Sequence, residues 1–596
     1  MAFVTGSKSS FFVKAYVGDN KTLLAFNFST QAAARNLAGF TIQCHPPGVN
    51  PYYLYNELQF QNPSKHAQVS TEKPYSTINA PIQKYRWVHV TGLNHQGLNP
   101  VVGDYTYTIT PRYFDGNQSM LPLDASLSAM VTVPVGPFKK GLLSLGFTRG
   151  YMQSEAFVHH FSAQALLQPA GKPLLYDTSQ TAGTNKAGGK FSFADEYSWM
   201  GWTARQQVLT LLSQVLGDQS LQLSVFAYDL NEPDVLNTLL ALAKAGRVRI
   251  ILDNAQLHVT HKDAKTGKTV TTPEDQFAAV FQQQAKSPGD LLRGSFGRYS
   301  HDKVFIVSKD GTPSRVLTGS TNFSITGLYV NANHVLIFDD SNVAAKYASV
   351  FQESWQILSQ FKSPTKAAAT AFSSTPLATQ PYVYQSSNVP KMSITFSPHT
   401  AADTDKILGA ISNRVLQEAS TPNGSVLFAV MQLTQSETPV YKTLQNIHAK
   451  QTLFSYGISD APGGTYLYAA GSKSGVLVTG KPSQVTLPPP FDQVPSPPGH
   501  EIHDKFVVCG MNGKDPVVYC GSSNLATGGE ESNGDNLLEI HDADVATAFA
   551  IEALLLVDHY SFLDRYAAKQ AENGTGKSPA RGSAGKAKKP RKKPQK

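Results

Sequence analysis

The sequence contains little cysteine. Only three of its 596 residues are cysteines, namely Cys44, Cys509 and Cys520. That number is too small for a disulfide framework. No histidine or carboxylate stands near these positions at the spacing of a zinc site. We therefore expect Cys509 and Cys520 to be buried structural thiols.

Long apolar runs are also absent. No stretch approaches eighteen consecutive apolar residues, so no transmembrane helix is expected. The first twenty residues lack the charged start and the apolar core of a signal peptide. These absences predict a soluble protein that is cytoplasmic, or that is exported by a route needing no cleaved signal.

Most of the chain carries almost no net charge. The net charge is +8, but residues 577–596 contain nine Lys or Arg and no acid. Without them, 42 basic residues face 43 acidic ones. A near-neutral body argues against a strongly cationic groove. Residues 563–596 are expected to be a disordered basic tail, with attraction to nucleic acid or anionic lipid as an alternative role.

The remaining chain is long enough for several domains. Residues 1–136 contain short β-rich runs between turn clusters, which predicts an all-β sandwich of immunoglobulin or fibronectin type. Strands then alternate with helices, which predicts α/β units over 137–361 and 391–562. Residues 362–390 are rich in Ser, Thr, Ala, Pro and Gln and are predicted to be a linker. The proline-dense stretch 482–499 is predicted to be an irregular loop bordering the site.

An internal repeat joins the two α/β units. The tracts SHDKVFIVSKD and IHDKFVVCGMN align at an offset of 202 residues. The same offset aligns two G-S-x-N tetrads, whose polar members are Ser320, Asn322, Ser522 and Asn524. Paired H-x-K and G-S-x-N motifs at equal spacing indicate two copies of one fold.

Each H-x-K leads into an apolar run, which predicts that the motif stands at the end of a strand. On a strand His301 and Lys303 share a face, as do His503 and Lys505. The intervening Asp302 and Asp504 then lie on the opposite face, in structural or solvent-facing positions. The glycine before each serine is expected to let the backbone approach a ligand closely.

These residues suit phosphate chemistry without a metal or another cofactor. Lysine ammonium groups and asparagine amides can stabilise charge on a phosphoryl group. Histidine titrates near pH 6.5, so one imidazole can attack phosphorus while the other protonates the leaving alcohol. The candidate catalytic residues are therefore His301, Lys303, Asn322, His503, Lys505 and Asn524, and the candidate substrate-binding residues are Ser320 and Ser522.

The two motifs resemble the HKD motifs of the phospholipase D superfamily over roughly residues 140–562. The resemblance implies two halves related by a pseudo-two-fold axis, one shared cleft and a covalent phosphohistidine. It assigns His301 as the nucleophile and His503 as the general acid. It also implies an aspartate five residues after each lysine, but Ser308 and Gly510 occupy those positions. The chain is therefore an atypical member.

Three functions remain open. The favoured one is hydrolysis of a phospholipid, which would involve peripheral membrane contact and a rim of apolar residues, for which Phe296, Tyr299, Phe323, Tyr329 and Phe491 are candidates. A nuclease acting on DNA or RNA is the first alternative. A catalytically inactive binding protein that uses the β-domain is the second. A cardiolipin-synthase-like role is disfavoured because membrane helices are absent.

Several other polar residues are assigned structural roles. Asp229, Glu232, Asp253 and Asn254 follow predicted strands, and helix-capping and turn roles are preferred for them over lining the cleft. His334, His541 and His559 are also expected to be structural.

Overall fold

A computed structural model describes residues 3–56, 58–66, 68–149, 155–162, 165–361, 364–433, 438–447, 453–461, 464–469, 476–478 and 502–575. These residues form an N-terminal β-rich region followed by two large mixed sheets with helices. None of the helices in these ranges combines the length and apolar character needed to cross a bilayer.

The N-terminal region is built from two four-stranded antiparallel sheets that share one apolar core. On the last strand, Ala129, Val131, Val133 and Val135 point inwards while the residues between them are exposed, the alternation that a half-buried strand requires. The immunoglobulin or fibronectin likeness stays a prediction. The elements are β1 Phe3–Lys8, β2 Phe11–Val17, β3 Lys21–Phe28, β4 Leu37–His45, β5 Tyr52–Tyr53, α1 Pro63–His66, β6 Arg86–Val90, β7 Gly103–Tyr113 and β8 Ala129–Val135.

The second region contains an eight-stranded sheet flanked by helices. Its elements are β9 Phe138–Lys140, β10 Leu143–Phe147, α2 Glu155–His160, β11 Thr181–Thr184, β12 Lys190–Ser192, α3 Phe193–Gly217, β13 Leu221–Ala227, α4 Pro233–Lys244, β14 Val248–Leu252, β15 His261–Lys262, β16 Thr269–Val270, α5 Pro273–Gln284, β17 Leu291–Arg293, β18 Val304–Lys309, β19 Thr312–Gly319, α6 Ile325–Tyr329, β20 His334–Phe338 and α7 Ser341–Gln360. The strand order is β17-β14-β13-β18-β19-β20-β10-β9.

The third region contains a nine-stranded sheet. Its elements are α8 Lys366–Ser373, α9 Pro376–Thr379, β21 Tyr382–Tyr384, β22 Lys391–Ser397, α10 Ala401–Ser420, β23 Ser425–Val430, α11 Pro439–Asn446, β24 Phe454–Ala461, β25 Gly464–Ala469, β26 Val476–Val478, β27 Lys505–Cys509, β28 Val517–Gly521, α12 Thr527–Glu530, β29 Asp535–His541 and α13 Ala543–Thr575. The order is β21-β22-β29-β28-β27-β23-β24-β25-β26.

The two large sheets share a strand order. The run β14-β13-β18-β19-β20-β10 corresponds to β24-β23-β27-β28-β29-β22, with one parallel pair in each run. Gly319 pairs with Val335 and Gly521 pairs with Leu537, so the register also repeats here at the 202-residue offset. The symmetry axis implied by the family resemblance stays a prediction. One apolar core crosses from the first sheet to the second, so the halves pack against each other.

The segment predicted to be a linker carries regular structure instead. Residues 364–390 contain α8, α9 and β21, and β21 pairs with β22 at the edge of the second sheet. Phe372 of α8 is buried against Phe296. The segment contains few large apolar residues, so its composition did not indicate helix α8, whose apolar face covers the core.

The C-terminal boundary also differs from the prediction. Helix α13 continues to Thr575, twelve residues beyond the predicted start of the tail at 563. A run of helix formers, including Ala567 and Ala568, permits this extension. The basic residues 577–596 and the proline-rich loop 482–499 lie outside the described residues.

The β-rich region is joined to the rest by buried polar contacts. Lys21 forms an ion pair with Glu552 of α13, and both side chains are almost fully buried. The carboxylate of Asp19 accepts hydrogen bonds from the backbone of Phe138 and Phe147. Because buried charges must stay paired, these contacts tie the two regions together.

Candidate active site

The two H-x-K motifs lie at the starts of their strands. His301 and Lys303 lie in the extended segment before β18, and Lys505 is the first residue of β27. Each strand forms an antiparallel hairpin with the next strand, which ends at the glycine of G-S-x-N. The start of one hairpin strand adjoins the end of the other, so each half brings its histidine, lysine, serine and asparagine to one edge of its sheet.

Each motif also pairs with the opposite half. The backbone NH of His301 donates to the carbonyl of Gly534 at 2.8 Å, and that of His503 donates to the carbonyl of Ala332 at 3.2 Å. The positions are equivalent, since 534 and 332 differ by the repeat offset of 202. The two motifs are therefore held at the contact between the halves.

The histidine side chains bind partners from the opposite half. His301 Nδ1 lies 2.7 Å from Asp535 Oδ1, while His503 Nδ1 lies 2.9 Å from Asn333 Oδ1. Asp535 and Asn333 occupy the same repeat position, so the arrangement is reciprocal in geometry but unequal in charge. A carboxylate stabilises a positively charged imidazole more strongly than an amide does.

The aspartates inside the two motifs bind across the same contact. Asp302 Oδ1 accepts a hydrogen bond from Asn536 at 2.7 Å, and Asp504 Oδ1 lies 2.7 Å from Nδ1 of His334. Both aspartates are buried, so the solvent-facing alternative is wrong and the structural one holds. Burial raises the pKa of Asp302 to about 7. His334 is likewise structural, as expected.

The two lysines are buried beside the histidines. Lys303 donates to the carbonyl of His301, and Lys505 donates to that of His503 at 2.6 Å. Burial lowers the pKa of Lys303 to about 8 and that of Lys505 well below its usual value, and the charge of Lys303 adds to the shift at Lys505. The two ammonium groups therefore share one region, where a bound anion would favour their charged forms.

Burial also acts on His301. It lowers the pKa of the imidazole, as do the charges of Lys303 and Lys505, while Asp535 opposes the shift. A lowered pKa keeps His301 neutral at neutral pH, which a nucleophilic imidazole requires. The influence of Lys505 on His301 is further reason to treat the two motifs as one site.

Each of the two asparagines has a buried amide oxygen. Asn322 Nδ2 donates to Asp229 Oδ2 at 2.6 Å, which fixes the orientation of this side chain. Among the residues that the structure describes, Oδ1 of Asn322 and Oδ1 of Asn524 have no hydrogen-bond partner. Such groups are uncommon in folded proteins and often mark functional sites.

The serines are placed differently from the prediction. Ser320 Oγ donates to Asn333 Oδ1 at 2.8 Å, and Ser522 Oγ donates to Asp535 Oδ1 at 2.7 Å. Each hydroxyl also accepts a backbone NH, from His334 and Asn536 respectively. Both serines are fully buried, so this geometry favours a role in positioning the histidines' partners over direct contact with substrate.

The glycines before these serines serve packing of the protein itself. Gly319 has φ +143°, and a Cβ there would lie 2.3 Å from the carbonyl oxygen of His334. Gly521 has φ +137°, and its Cβ would lie 2.5 Å from the carbonyl oxygen of Asn536. The sequence predicted that these glycines let the backbone approach a ligand. In the structure they instead allow close approach of the neighbouring strand.

Two tyrosines line the first half of the site. The ring of Tyr228 packs edge-on against His301 at 4.7 Å between centroids, and Lys303 Nζ lies 4.8 Å from the same ring. Tyr299 contacts Tyr228 at 5.4 Å and is half-buried. Tyr228 was not anticipated, although its position directly after β13, one residue before Asp229, is a signal in the sequence.

The predicted apolar rim is mostly absent. Phe296, Phe323 and Tyr329 are buried in the core and cannot contact a lipid chain. Of the remaining candidates, Tyr299 lies near His301 and Phe491 falls outside the described residues. Periodicity does not distinguish a core aromatic from a rim aromatic when both follow a strand.

The positions without the expected aspartate contain other groups. Ser308 lies on β18 at a register shift between β18 and β19. Gly510 has φ +70°, and a Cβ there would lie 2.9 Å from Glu418 Oε1 and 3.1 Å from the guanidinium of Arg414. An ion pair from α10 therefore occupies the space beside Gly510.

The acidic residues after β13 and β14 fall into two groups. Glu232 caps the N-terminus of α4, as expected, by accepting from the backbone NH of Val235 at 2.7 Å. Asp229 and Asp253 instead bind the two ring nitrogens of His258, each at 2.7 Å. Asp229, which also contacts Asn322, therefore belongs to the site, contrary to the preferred turn role.

One group of side chains is close enough to hold a metal ion, namely Asp229, His258 and Glu274. Both ring nitrogens of His258 already face carboxylates, and Glu274 Oε1 accepts the backbone NH of Leu230 at 3.1 Å. A metal ligand needs a free imidazole lone pair, so this hydrogen bonding fits a protonated ring better than a metal centre.

Part of the chain is similar to a known protein family. Residues 213–355 match the family model described as "Cardiolipin synthase, PLD-like domain". The match contains His301, Lys303, Ser320 and Asn322, and ends before the second motif.

Two curated relatives match a segment of similar length. A mitochondrial cardiolipin hydrolase of Xenopus laevis is 32% identical over 148 residues, or 24% of this chain and 60% of that protein. The protein of the same name from Xenopus tropicalis is 30% identical over 147 residues, or 24% and 59%. The chain thus spans about three fifths of the length of these relatives.

Solved structures are more distant. A phosphatidylserine synthase of Haemophilus influenzae is 10% identical over 60% of this chain and 84% of that chain, with a TM-score of 0.35. A phospholipase D family member, Nuc of Salmonella typhimurium, is 21% identical over 25% and 86%, with a TM-score of 0.18. At these TM-scores the likeness carries no argument about the site.

Proposed function

We propose that this chain, which belongs to the phospholipase D superfamily, is a phosphodiesterase that uses both motifs in one active site, with a phospholipid as the favoured substrate. The observation that carries the proposal is the reciprocal binding of each histidine by the opposite half. His301 binds Asp535 and His503 binds Asn333. Reciprocal contacts of this kind join the two motifs into a single catalytic unit.

The unequal partners support different roles for the two histidines. With Nδ1–H donating to Asp535, His301 keeps a lone pair on Nε2 for attack on phosphorus. The carboxylate then stabilises the positive charge of the phosphohistidine. His503 Nδ1 instead faces the amide oxygen of Asn333, and Lys505 Nζ lies 3.2 Å from the same nitrogen, so its protonated form gains less stabilisation and transfers a proton more readily.

The reaction then proceeds in two balanced steps. In the first step a bond forms between phosphorus and His301 Nε2, the bond from phosphorus to the leaving oxygen breaks, and His503 donates its proton to that oxygen. In the second step His503 removes a proton from water, the oxygen of that water bonds to phosphorus, and the bond to His301 breaks. Both histidines return to their starting states.

Lysine and asparagine side chains stabilise the charge on phosphorus. Lys303 and Lys505 are buried, and a phosphodiester supplies the anion that would favour their charged forms. Asn322 keeps a second amide hydrogen after donating to Asp229, and Asn524 is its repeat equivalent. Because Lys303, Lys505 and Asn322 are already held by hydrogen bonds, they need little reorganisation during the reaction.

Two observations favour a phospholipid as the substrate. The curated relatives are named as cardiolipin hydrolases, and the near-neutral body argues against a nucleic-acid groove. Phe296, Phe323 and Tyr329 are buried, so they do not supply the apolar rim expected of a lipid site. We keep a phospholipid as the favoured class.

A substrate panel tests the proposal. Phosphatidylcholine, phosphatidylethanolamine, cardiolipin, single-stranded DNA and RNA would be incubated with wild type, His301→Ala and His503→Ala in the presence of chelator. We expect phospholipid turnover by wild type and loss of at least about 10³-fold in His301→Ala. His159→Ala, at an exposed position of α2, is the matched control and should retain full activity.

The outcomes separate the alternatives. Turnover of DNA or RNA alone would replace the lipid assignment with a nuclease. No turnover of any substrate would overturn the phosphodiesterase and favour a binding protein. An unchanged rate in His301→Ala would overturn the proposed active site.

A further inference from the structure

We infer that His258 is a positioning residue, held between Asp229 and Asp253, that orients Asn322 and the segment leading into His301. The inference rests on the proposed function, because it concerns the same site. Neither the family match nor the repeat assigns a role to His258.

An unbroken chain of hydrogen bonds carries this inference. Asp253 Oδ2 lies 2.7 Å from His258 Nδ1, and His258 Nε2 lies 2.7 Å from Asp229 Oδ1. The second oxygen of Asp229 accepts Asn322 Nδ2 at 2.6 Å. The second oxygen of Asp253 accepts the backbone NH of Ser300 at 2.6 Å, next to His301. Each carboxylate therefore joins His258 to one functional segment.

The surroundings favour a protonated ring. Both ring nitrogens face carboxylates, so both donate only when the imidazole is charged. Burial lowers the pKa of His258, but the bonds to Asp229 and Asp253 outweigh burial and raise it to about 10. The other groups facing the ring are Glu274 of α5, whose pKa is influenced by His258, and Tyr228 at 4.4 Å.

The ring is also held rigidly through its backbone. His258 ends a short 3-10 turn, Gln256–His258, that begins four residues after the end of β14. Its carbonyl accepts Thr272 Oγ1 at 3.0 Å and Arg293 Nη2 at 2.5 Å. A side chain fixed at both ends can define the position of Asp229, and hence of Asn322, to within a fraction of an ångström.

The second half has no counterpart to this chain. The positions 202 residues after Asp229, Asp253 and His258 are Met431, Ser455 and Asp460. None of these three described positions is a histidine, so the repeat does not reproduce the His258 chain at the equivalent place in the second half. This difference matches the unequal roles that Asp535 and Asn333 support for the two histidines.

Kinetics of His258→Gln and Asp229→Asn test the inference on the full chain. We expect kcat to fall by about 10- to 100-fold in both variants while KM changes by less than about twofold. His261→Gln is the matched control, since this histidine is three residues away and its ring nitrogen contacts only the carbonyl of Val259 among described residues.

Wild-type kcat in folded His258→Gln would overturn the inference. If His258→Gln fails to fold, Asp229→Asn decides, since the amide keeps the shape of the carboxylate.

A readout independent of turnover is the protonation state of the ring. ¹⁵N NMR of histidine-labelled protein should find both nitrogens of His258 protonated at pH 8.5. A neutral ring at pH 7.5 would overturn the inference. Stoichiometric binding of Zn²⁺ that disappears in His258→Gln would overturn it in favour of a metal site. If the wild type shows no turnover, the proposed function is wrong. The NMR measurement does not depend on turnover, so it tests the protonation of His258 separately.

Discussion

At the scale of single residues, the site is defined by pairs whose members come from different halves. Asp535 and Asn333 stand at one repeat position and make one kind of contact, yet only Asp535 carries a charge. The two imidazoles occupy equivalent positions, but one faces the carboxylate of Asp535 and the other faces the amide of Asn333. In the proposed mechanism, this difference at one repeat position separates the nucleophile from the proton donor.

The buried lysines predict a pH dependence of substrate binding. The pKa of Lys303 is lowered to about 8, chiefly by burial. The ammonium form binds an anionic phosphodiester, and it is present below this pKa and lost above it. We therefore expect KM to rise as the pH passes about 8, measured by steady-state kinetics from pH 6 to 10.

Two variants check the assignment to Lys303. Lys303→Met should have a higher KM at pH 7 and a flatter profile between pH 7 and 9. Lys406→Met, at an exposed position of α10, should follow the wild-type profile. A wild-type KM that stays constant to pH 10 would contradict the prediction.

At the scale of elements, the hairpins β18–β19 and β27–β28 carry the site to the edge of each sheet. The strand after each hairpin, β20 or β29, passes so close to Gly319 or Gly521 that no side chain fits there. The same strands begin with the residues that bind the opposite half. Close strand packing and site assembly therefore depend on the same glycines.

Substitution of Gly319 should destabilise the protein. Gly319→Ala would place a Cβ 2.3 Å from the carbonyl oxygen of His334 at φ +143°. Backbone strain alone should lower the free energy of unfolding by about 1–3 kcal/mol. Urea unfolding followed by circular dichroism measures this change.

Gly409 provides the control for that experiment. It lies within α10, and a Cβ there would meet nothing within 4 Å. Gly409→Ala should raise the free energy of unfolding by about 0.5–1 kcal/mol, because alanine favours helix. Equal effects of the two alanines would refute the role of close packing at Gly319.

At the scale of the whole molecule, the β-rich region is joined firmly to the α/β body. Lys21 and Glu552 form a buried ion pair, and the side chain of Arg86 binds Asp558 of α13 with two hydrogen bonds of 2.5 and 2.9 Å. A module attached only by a linker would not need these contacts. The arrangement favours a cooperative role for the β-rich region in stabilising the second half.

Removal of the buried cation should therefore affect the whole protein. Lys21→Met leaves Glu552 buried without its partner, which should cost about 3–5 kcal/mol in the free energy of unfolding. Lys84→Met removes a partly exposed partner of Asp558 and should cost about 0–1 kcal/mol. Chemical denaturation of both variants measures the difference, and similar values would argue against a buried interdomain pair.

The sequence was most informative where chemistry depends on residue type and spacing. The 202-residue repeat predicted two related α/β units, and the structure brings His301, Lys303, His503 and Lys505 to the contact between them. Short β-rich runs between turn clusters also predicted the β-rich character of residues 1–136, because β-branched and aromatic residues favour strands and turn residues end them. Composition was a poor guide at 362–390, where short helices have little apolar periodicity.

By itself, the sequence determined which residue types carry the chemistry and that they occur twice. Only the tertiary structure decided that Asp535 and Asn333 contact the two histidines, that His258 lies between Asp229 and Asp253, and that Ser320 and Ser522 bind Asn333 and Asp535. The physical reason is that a motif is local, whereas its hydrogen-bond partners lie on strands of the other half or after a different strand. Those partners are chosen by how the two sheets pack, which no spacing along the chain records.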